Sequence, residues 1–205
     1  MSRGKFISIE GVEGVGKSTN IEFIAGLIGE AGHEVVVTRE PGGTALGERI
    51  RQILLDKNER QMTPMTELLL MFAARAQHVN EVIEPALARG AWVISDRFTD
   101  SSFAYQGGGR QLGEEVVARI EHLVLRDFRP DLVFILDLDI ETGLKRAATV
   151  AEADRFEIEQ IAFFERVRTA FIHRSTLPGY FRIDASSPID QVQAEIRKIL
   201  REFIA

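Results

Sequence analysis

Gly11-Val12-Glu13-Gly14-Val15-Gly16-Lys17-Ser18 stands between an apolar run, residues 6–9, and an amphipathic stretch from 18 to about 30. It satisfies G-x-x-x-x-G-K-[ST] in the strand–loop–helix context that a phosphate-binding loop requires. The glycines let the backbone curl so that successive N–H groups face phosphate oxygens, and the helix N-terminus adds positive potential. Lys17 can reach the β- and γ-phosphates of a nucleotide, and the Ser18 hydroxyl can ligate Mg²⁺. The bland alternative is a glycine-rich turn that happens to hold a lysine; both flanks argue against it.

Outward from this loop, short apolar runs alternate with long amphipathic stretches, the pattern of an α/β chain. Residues 6–9, 35–38, 92–95, 132–138 and 181–183 read as strands, the middle ones apolar on both faces as in a buried parallel sheet. Helices are expected over 18–30, 46–55, 64–87, 114–126, 140–146, 157–171 and 189–203. Pro64 suits a helix start, and Pro85 predicts a kink or break near Glu84. No linker or repeat divides residues 1–205, so one domain is expected.

Composition narrows the function. The chain has 205 residues, 45% hydrophobic and 27% charged, with 25 Lys plus Arg against 31 Asp plus Glu, a net charge of −6. Such an acidic chain is a poor coat for nucleic acid, and no apolar run approaches a membrane span. The absence of cysteine excludes disulfides and thiolate chemistry. No signal peptide is evident at the N-terminus, so a cytoplasmic protein is expected. The four histidines form no ligand pattern and read as surface or helix-packing residues.

A phosphate loop does not name a reaction. The N-K-x-D guanine reader of GTP switches is missing. Two apolar strands end in aspartate. Asp96 is preferred as the Mg²⁺ carboxylate because Arg97 adjoins it, and a carboxylate and a guanidinium at one strand end suit a site that joins two phosphorylated molecules. Asp137 and Asp139 read as a strand end and a helix N-cap.

Thr38-Arg39-Glu40-Pro41-Gly42-Gly43, Asp96-Arg97-Phe98 and Ala104-Tyr105-Gln106-Gly107-Gly108-Gly109-Arg110 follow the phosphate loop in the order found in bacterial thymidylate kinases, which the chain resembles from about Phe6 to Phe171. The resemblance implies a P-loop kinase fold, a five-stranded parallel sheet between helices with a short lid at about 143–156. It implies transfer of the ATP γ-phosphate to dTMP with Mg²⁺, usually in a homodimer. A phosphate monoester acceptor, with its second pKa near ~6, is already a nucleophile at neutral pH. Lys, Arg, metal and N–H donors matter there more than a general base.

The resemblance assigns Arg97 to the dTMP phosphate, with Arg39 and Glu40 shaping the clamp. It sets Glu13 near the sugar 3′-OH and metal, and Tyr105 below the sugar, where it leaves no room for a 2′-OH. Arg75 reads the thymine O4 edge, and Ser101, Ser102 and Gln106 hydrogen-bond base, sugar or phosphate. The usual stacking aromatic falls on Met71; Phe72, one residue on, is the preferred cover for the base. Where some members carry a basic residue in the loop this chain has Val15, and residues 147–153 hold no basic residue either. Arg155 is therefore expected to act as the lid's arginine finger, with Arg146 near adenine. A related nucleotide kinase and a P-loop ATPase switch remain open alternatives at this point.

Overall fold

The computed structural model describes residues 3–59, 61–148, 155–156 and 159–204. Among them five strands form one parallel sheet in the order β2-β3-β1-β4-β5: β1 Phe6–Glu10, β2 Val35–Arg39, β3 Trp92–Asp96, β4 Leu132–Asp137 and β5 Tyr180–Asp184. The expected α/β class and five-stranded parallel sheet are therefore present. β1 and β4 are buried throughout, as strands covered on both faces must be.

Alternation along β1 and β3 divides the core. Phe6 pairs with Val93, and Ile7 with Ile94. Phe6 and Val93 pack with Leu68, Phe72, Leu87 and Phe98 on one face, whereas Ile7 and Ile94 pack with Ile24, Ile28, Phe164 and Ile196 on the other. The helices are α1 Lys17–Glu30, α2 Ala45–Leu55, α3 Pro64–His78, α4 Glu84–Ala88, α5 Thr99–Ser102, α6 Glu114–Leu125, α7 Ile140–Ala147, α8 Ile161–Arg174 and α9 Ile189–Ile204. Caps fix several starts: Thr44 accepts from Gly47 N, Thr63 from Thr66 N with Pro64 following, and Asp139 from Thr142 N. Asp139 is thus an N-cap, and Asp137 accepts bonds from Arg168 and Arg182.

Three expectations change. The long helix over 64–87 does not break at Glu84; it widens into a π-helical turn, Val79–Ile83, between α3 and α4. Pro85 has no N–H for the Glu81 carbonyl and its ring crowds that carbonyl, so a wider turn accommodates it. The helix expected to start at 157 begins at Ile161, because Gln160 is extended and serves as its N-cap. Residues 103–109 form a second π-helical segment after α5, where no helix was expected. Of the expected lid, residues 149–154 lie outside the described residues, as does Glu157.

Strand order locates the site. The chain leaves β1 towards one edge of the sheet, reaching β2, and leaves β3 towards the other, reaching β4. Crossovers diverging from neighbouring strands open a crevice at their C-terminal ends. Glu10 and Asp96 end those two strands.

Candidate active site

A cavity of about 220 Å³ occupies that crevice, lined by Glu13, Lys17, Asp96, Arg97, Ser101 and Tyr105 at one end and by Glu40, Met71, Arg75, Ser102, Gln106 and Phe156 towards the other. The phosphate loop forms its floor. Gly16 caps α1 in the left-handed conformation. Gly14 lies so close to α7 that a Cβ there would sit 2.0 Å from the Gly143 carbonyl oxygen. The loop thus depends on a glycine there for its seat against α7.

Lys17 Nζ donates to the carbonyls of Gly11 and Val12, at 3.3 and 3.2 Å, and so lies folded back over the loop. Burial, aided by repulsion from Arg97, lowers its pKa to about 8, against the pull of Asp96, Glu13 and Glu10. An anion in the loop would raise it again.

Arg97 is the centre of the polar end. Its Nη1 donates to Gly11 O at 2.9 Å and Ser101 Oγ at 3.1 Å; its Nη2 donates to Glu13 Oε1 at 2.9 Å and Tyr105 Oη at 3.1 Å. Burial opposes its charge, but the anionic groups around it, Glu13, Asp96 and Glu10, hold it firmly protonated. Its φ of 70° is unusual for a side chain other than glycine. Ser95 Oγ donates to the Arg97 carbonyl at 2.7 Å, and the next amide, Phe98 N, donates to Glu10 Oε1 at 2.6 Å. These bonds hold the turn in its strained conformation. Glu10 also accepts from Ser8 and Ser101; burial and the nearby Asp100 push its pKa up to about 7. The Tyr105 hydroxyl donates to Glu13 at 2.7 Å, and burial keeps this phenol neutral.

Asp96 Oδ1 is buried and has no hydrogen-bond partner among the described residues. Ser18 lines the adjoining groove with Asp96. One free carboxylate oxygen beside a loop hydroxyl fits Mg²⁺, which takes few protein ligands and completes its octahedron with water and phosphate. Arg39 also lines that groove, but its guanidinium is half exposed and its Nη2 donates to both Glu48 oxygens, at 3.0 and 2.9 Å, so α2 holds it outside the main cavity.

At the other end Arg75 Nε donates to Glu40 Oε2 at 2.6 Å, Nη1 to Ser102 Oγ at 3.1 Å and Nη2 to Phe98 O at 3.0 Å. Gln106 donates to Glu67 Oε1 at 2.8 Å. Two expectations fail. Phe72 does not line the cavity: it is 1% exposed, packed in the core, with the Arg75 guanidinium 4.5 Å from its ring; Met71 lines the cavity instead. One residue along a helix turns the side chain by about 100°, which carries Phe72 from the wall into the sheet-facing layer. Arg155 does not reach for the phosphate loop. It is 5% exposed, donates from Nε to Leu54 O at 2.7 Å, and pairs through Nη2 with Glu67 Oε2 at 2.7 Å. Its salt-bridge partner is a buried carboxylate in the first turn of α3, which also accepts from Gln106 and Arg110. Such a carboxylate demands cations around it.

Arg146 lines a groove on the outer side of the loop with Val15, Gly16, Asn20 and Pro188, its Nη1 3.5 Å from Ala185 O. Sequence reasoning passed over four residues of this region: Glu10, Glu67, His78 and Arg51, which lines the cavity and donates to Pro41 O at 2.9 Å. Only Glu10 carried a signal, as a carboxylate at the end of a mostly apolar strand.

Comparison with known proteins gives one answer. A family model described as thymidylate kinase matches residues 9–196. The thymidylate kinase of Pseudomonas fluorescens (strain SBW25) is 55% identical over 199 residues, covering 96% of this chain and 95% of that protein. That of Teredinibacter turnerae is 49% identical over 203 residues, covering 98% and 99%. The crystal structure of thymidylate kinase from Ehrlichia chaffeensis superposes with a TM-score of 0.78 at 32% identity, covering 97% of this chain and 99% of that one.

Proposed function

The chain belongs to the thymidylate kinase family, which moves the γ-phosphoryl group of ATP to dTMP to give ADP and dTDP, and we propose that the cavity over Gly11–Ser18 is where its own residues do so. One observation carries the reading: Lys17 and Arg97 line one cavity with Asp96, between the phosphate loop and a wall bearing Arg75 and Tyr105. The ATP phosphates lie in the loop, held by the backbone N–H groups of Gly11, Val12, Glu13, Gly14, Val15 and Gly16, with Lys17 on the β- and γ-oxygens. Asp96 and Ser18 hold Mg²⁺, which when bound neutralises charge on the phosphates. Arg97 takes the dTMP phosphate, exchanging its bond to Gly11 O for a phosphate oxygen. Its links to Glu13, Ser101 and Tyr105 fix the guanidinium beforehand, so little ordering entropy is lost on binding. The acceptor monoester is already nucleophilic, and alignment with electrostatic stabilisation does the rest. Glu13, bonded to Arg97 and Tyr105, stands beside the sugar. Glu40 holds Arg75, and Arg75, Gln106 and Ser102 face the base, with Met71 as its polarizable cover.

The test is an acceptor panel. ADP release with ATP·Mg²⁺ is expected to be fastest with dTMP among the common nucleoside monophosphates; equal rates with dTMP and a purine monophosphate would contradict the reading.

Sugar selection is attributed to Tyr105, whose ring is wedged 5.8 Å from Phe156 and 6.2 Å from both Phe163 and Phe171. Three aromatic neighbours leave it little room to swing away from a 2′-OH. Tyr105→Ala is expected to lower the kcat/KM ratio of dTMP to its ribose analogue by about tenfold or more, on the scale of one lost steric contact. An unchanged ratio would move the gate elsewhere.

The lid also separates by mutation. Arg155→Ala is expected to lower Tm and raise the dTMP KM through Glu67, with the single-turnover rate at saturating substrates kept within about fivefold. An arginine finger would instead show a loss of about 10³-fold or more. Arg146→Ala is expected to raise the KM for ATP and leave that for dTMP unchanged; the reverse pattern would refute its assignment to the ATP side.

We further assign the chain to the cytoplasm and to a homodimer. No described helix is long and apolar enough to cross a membrane. Leu69 on α3 and Leu123 on α6 are 52% and 81% exposed, and α3 packs on α6, so both are candidates for burial against a second copy.

A further inference from the structure

Behind the base-side wall a chain of hydrogen bonds runs from β2 to Arg75. Thr38 Oγ1 lies 2.6 Å from His78 Nε2, and His78 Nδ1 lies 2.9 Å from Glu40 Oε1. Glu40 Oε2 accepts from Arg75 Nε at 2.6 Å. His78 is 0% exposed, Arg75 2% and Glu40 4%, so water cannot replace the links among these three. A carboxylate only accepts, which requires a proton on Nδ1; Nε2 faces the Thr38 hydroxyl, which can donate or accept.

The turn that carries Glu40 is built around this ring. Gly43 has φ +77°, and a Cβ on it would lie 2.5 Å from His78 Nε2 and 2.9 Å from Thr38 Oγ1. Imidazole, turn and carboxylate therefore fit one another in one arrangement. Arg75 has three of its five N–H groups engaged by Glu40, Ser102 and Phe98 O, and it lines the cavity. Glu40 is the charged partner of that guanidinium, and it has one oxygen on Arg75 and the other on His78. Without the His78 bond, the Glu40 carboxylate is free to turn both oxygens to Arg75 and rotate the fork.

We propose that His78 is a positioning residue for base recognition: through Glu40 it fixes the Arg75 guanidinium so that a pyrimidine with a 4-carbonyl is taken over one with a 4-amino group. The proposal rests on the reading of Arg75 as the base-facing donor. An arginine offers donors only, so a misplaced fork loses the carbonyl bond and with it the penalty imposed on an amino group.

The test measures kcat/KM for dTMP and dCMP in the full chain and in three variants, with Tm and the KM for ATP recorded alongside. The side-chain amide of His78→Asn can stand where Nδ1 stands and still donate to Glu40. That of His78→Gln reaches the Nε2 position and leaves Glu40 without its donor. Both lose packing, so both are expected to lower Tm. His78→Gln is expected to lower the dTMP-to-dCMP ratio by about tenfold or more, the scale of one lost charged hydrogen bond, with the KM for ATP unchanged. His78→Asn is expected to keep the ratio within about threefold. Equal ratios in His78→Gln and wild type, or equal losses in both His78 variants, would overturn the proposal. Arg75→Lys separates the two layers. If it collapses the ratio while His78→Gln does not, only the His78 role falls. If it too leaves the ratio intact, base reading at Arg75 falls and the proposal with it. Should His78→Gln not fold, ¹⁵N spectra of the wild-type imidazole decide: the proton is expected on Nδ1, and an Nε2–H tautomer would overturn the chain.

Discussion

Lys17→Ala is expected to lower the single-turnover rate of phosphoryl transfer by about 10³-fold or more while leaving the protein folded. A preorganised cation contributes most where charge develops on the transferring group, and removal of even a single neutral donor at such a place costs about 10²–10³-fold. Folding is expected to survive because the contacts of Lys17 Nζ are two carbonyls of its own loop. The same residue gives a pH signature. With its pKa lowered to about 8, the empty enzyme loses this charge as pH rises through about 8, more than two units earlier than an ordinary lysine. kcat/KM for ATP is therefore expected to fall above pH 8, and the single-turnover rate of the ATP-bound enzyme to fall later, since bound phosphate favours the ammonium. Near-wild-type turnover in Lys17→Ala would remove the loop from the reaction.

Arg97→Ala is expected to be nearly as damaging, by a different route. It should reduce kcat/KM for dTMP by about 10²–10³-fold, the range for losing one preorganised charged donor. It also removes the partner of Glu13 and Tyr105, so a fall in stability of about 1–3 kcal/mol is expected, the scale of a hydrogen bond to a charged group left unmade. Arg97→Lys keeps a charge but not the planar fork that joins Gly11, Ser101, Glu13 and Tyr105. It should restore part of the stability and little of the rate. Denaturant midpoints and dTMP titrations on both variants separate these effects. Full activity in Arg97→Lys would show that charge alone, not the fork, holds the acceptor.

What could be read in advance follows the range of the forces involved. Strand positions and most helix starts depend on periodicity and local signals a few residues away, so β1 to β5 and the helix starts near residue 46, at Pro64 and after Asp139 were legible. The phosphate loop was legible because its chemistry demands glycines and a lysine at fixed spacing. The π-helical turns were not, since a Pro85 inside a helical pattern announces a disturbance without saying whether the helix breaks or widens. Phe72 was misplaced because a one-residue difference in helical phase separates cavity wall from core. Arg155 was misread because its partner, Glu67, lies 88 positions earlier in the sequence, and the need for cations around a buried carboxylate has no local signal. His78 was passed over for the same reason: a histidine in an amphipathic helix looks like packing until Glu40 is brought beside it by the sheet.

The most direct measurement follows the labelled γ-phosphoryl group of ATP in a reaction of the purified chain with Mg²⁺ and dTMP. The expected result is label recovered in dTDP, one for each ADP formed, with Lys17→Ala and Arg97→Ala both transferring it at least about 10²-fold more slowly. Label recovered as inorganic phosphate at a rate indifferent to dTMP would contradict the kinase reading and make the chain an ATPase.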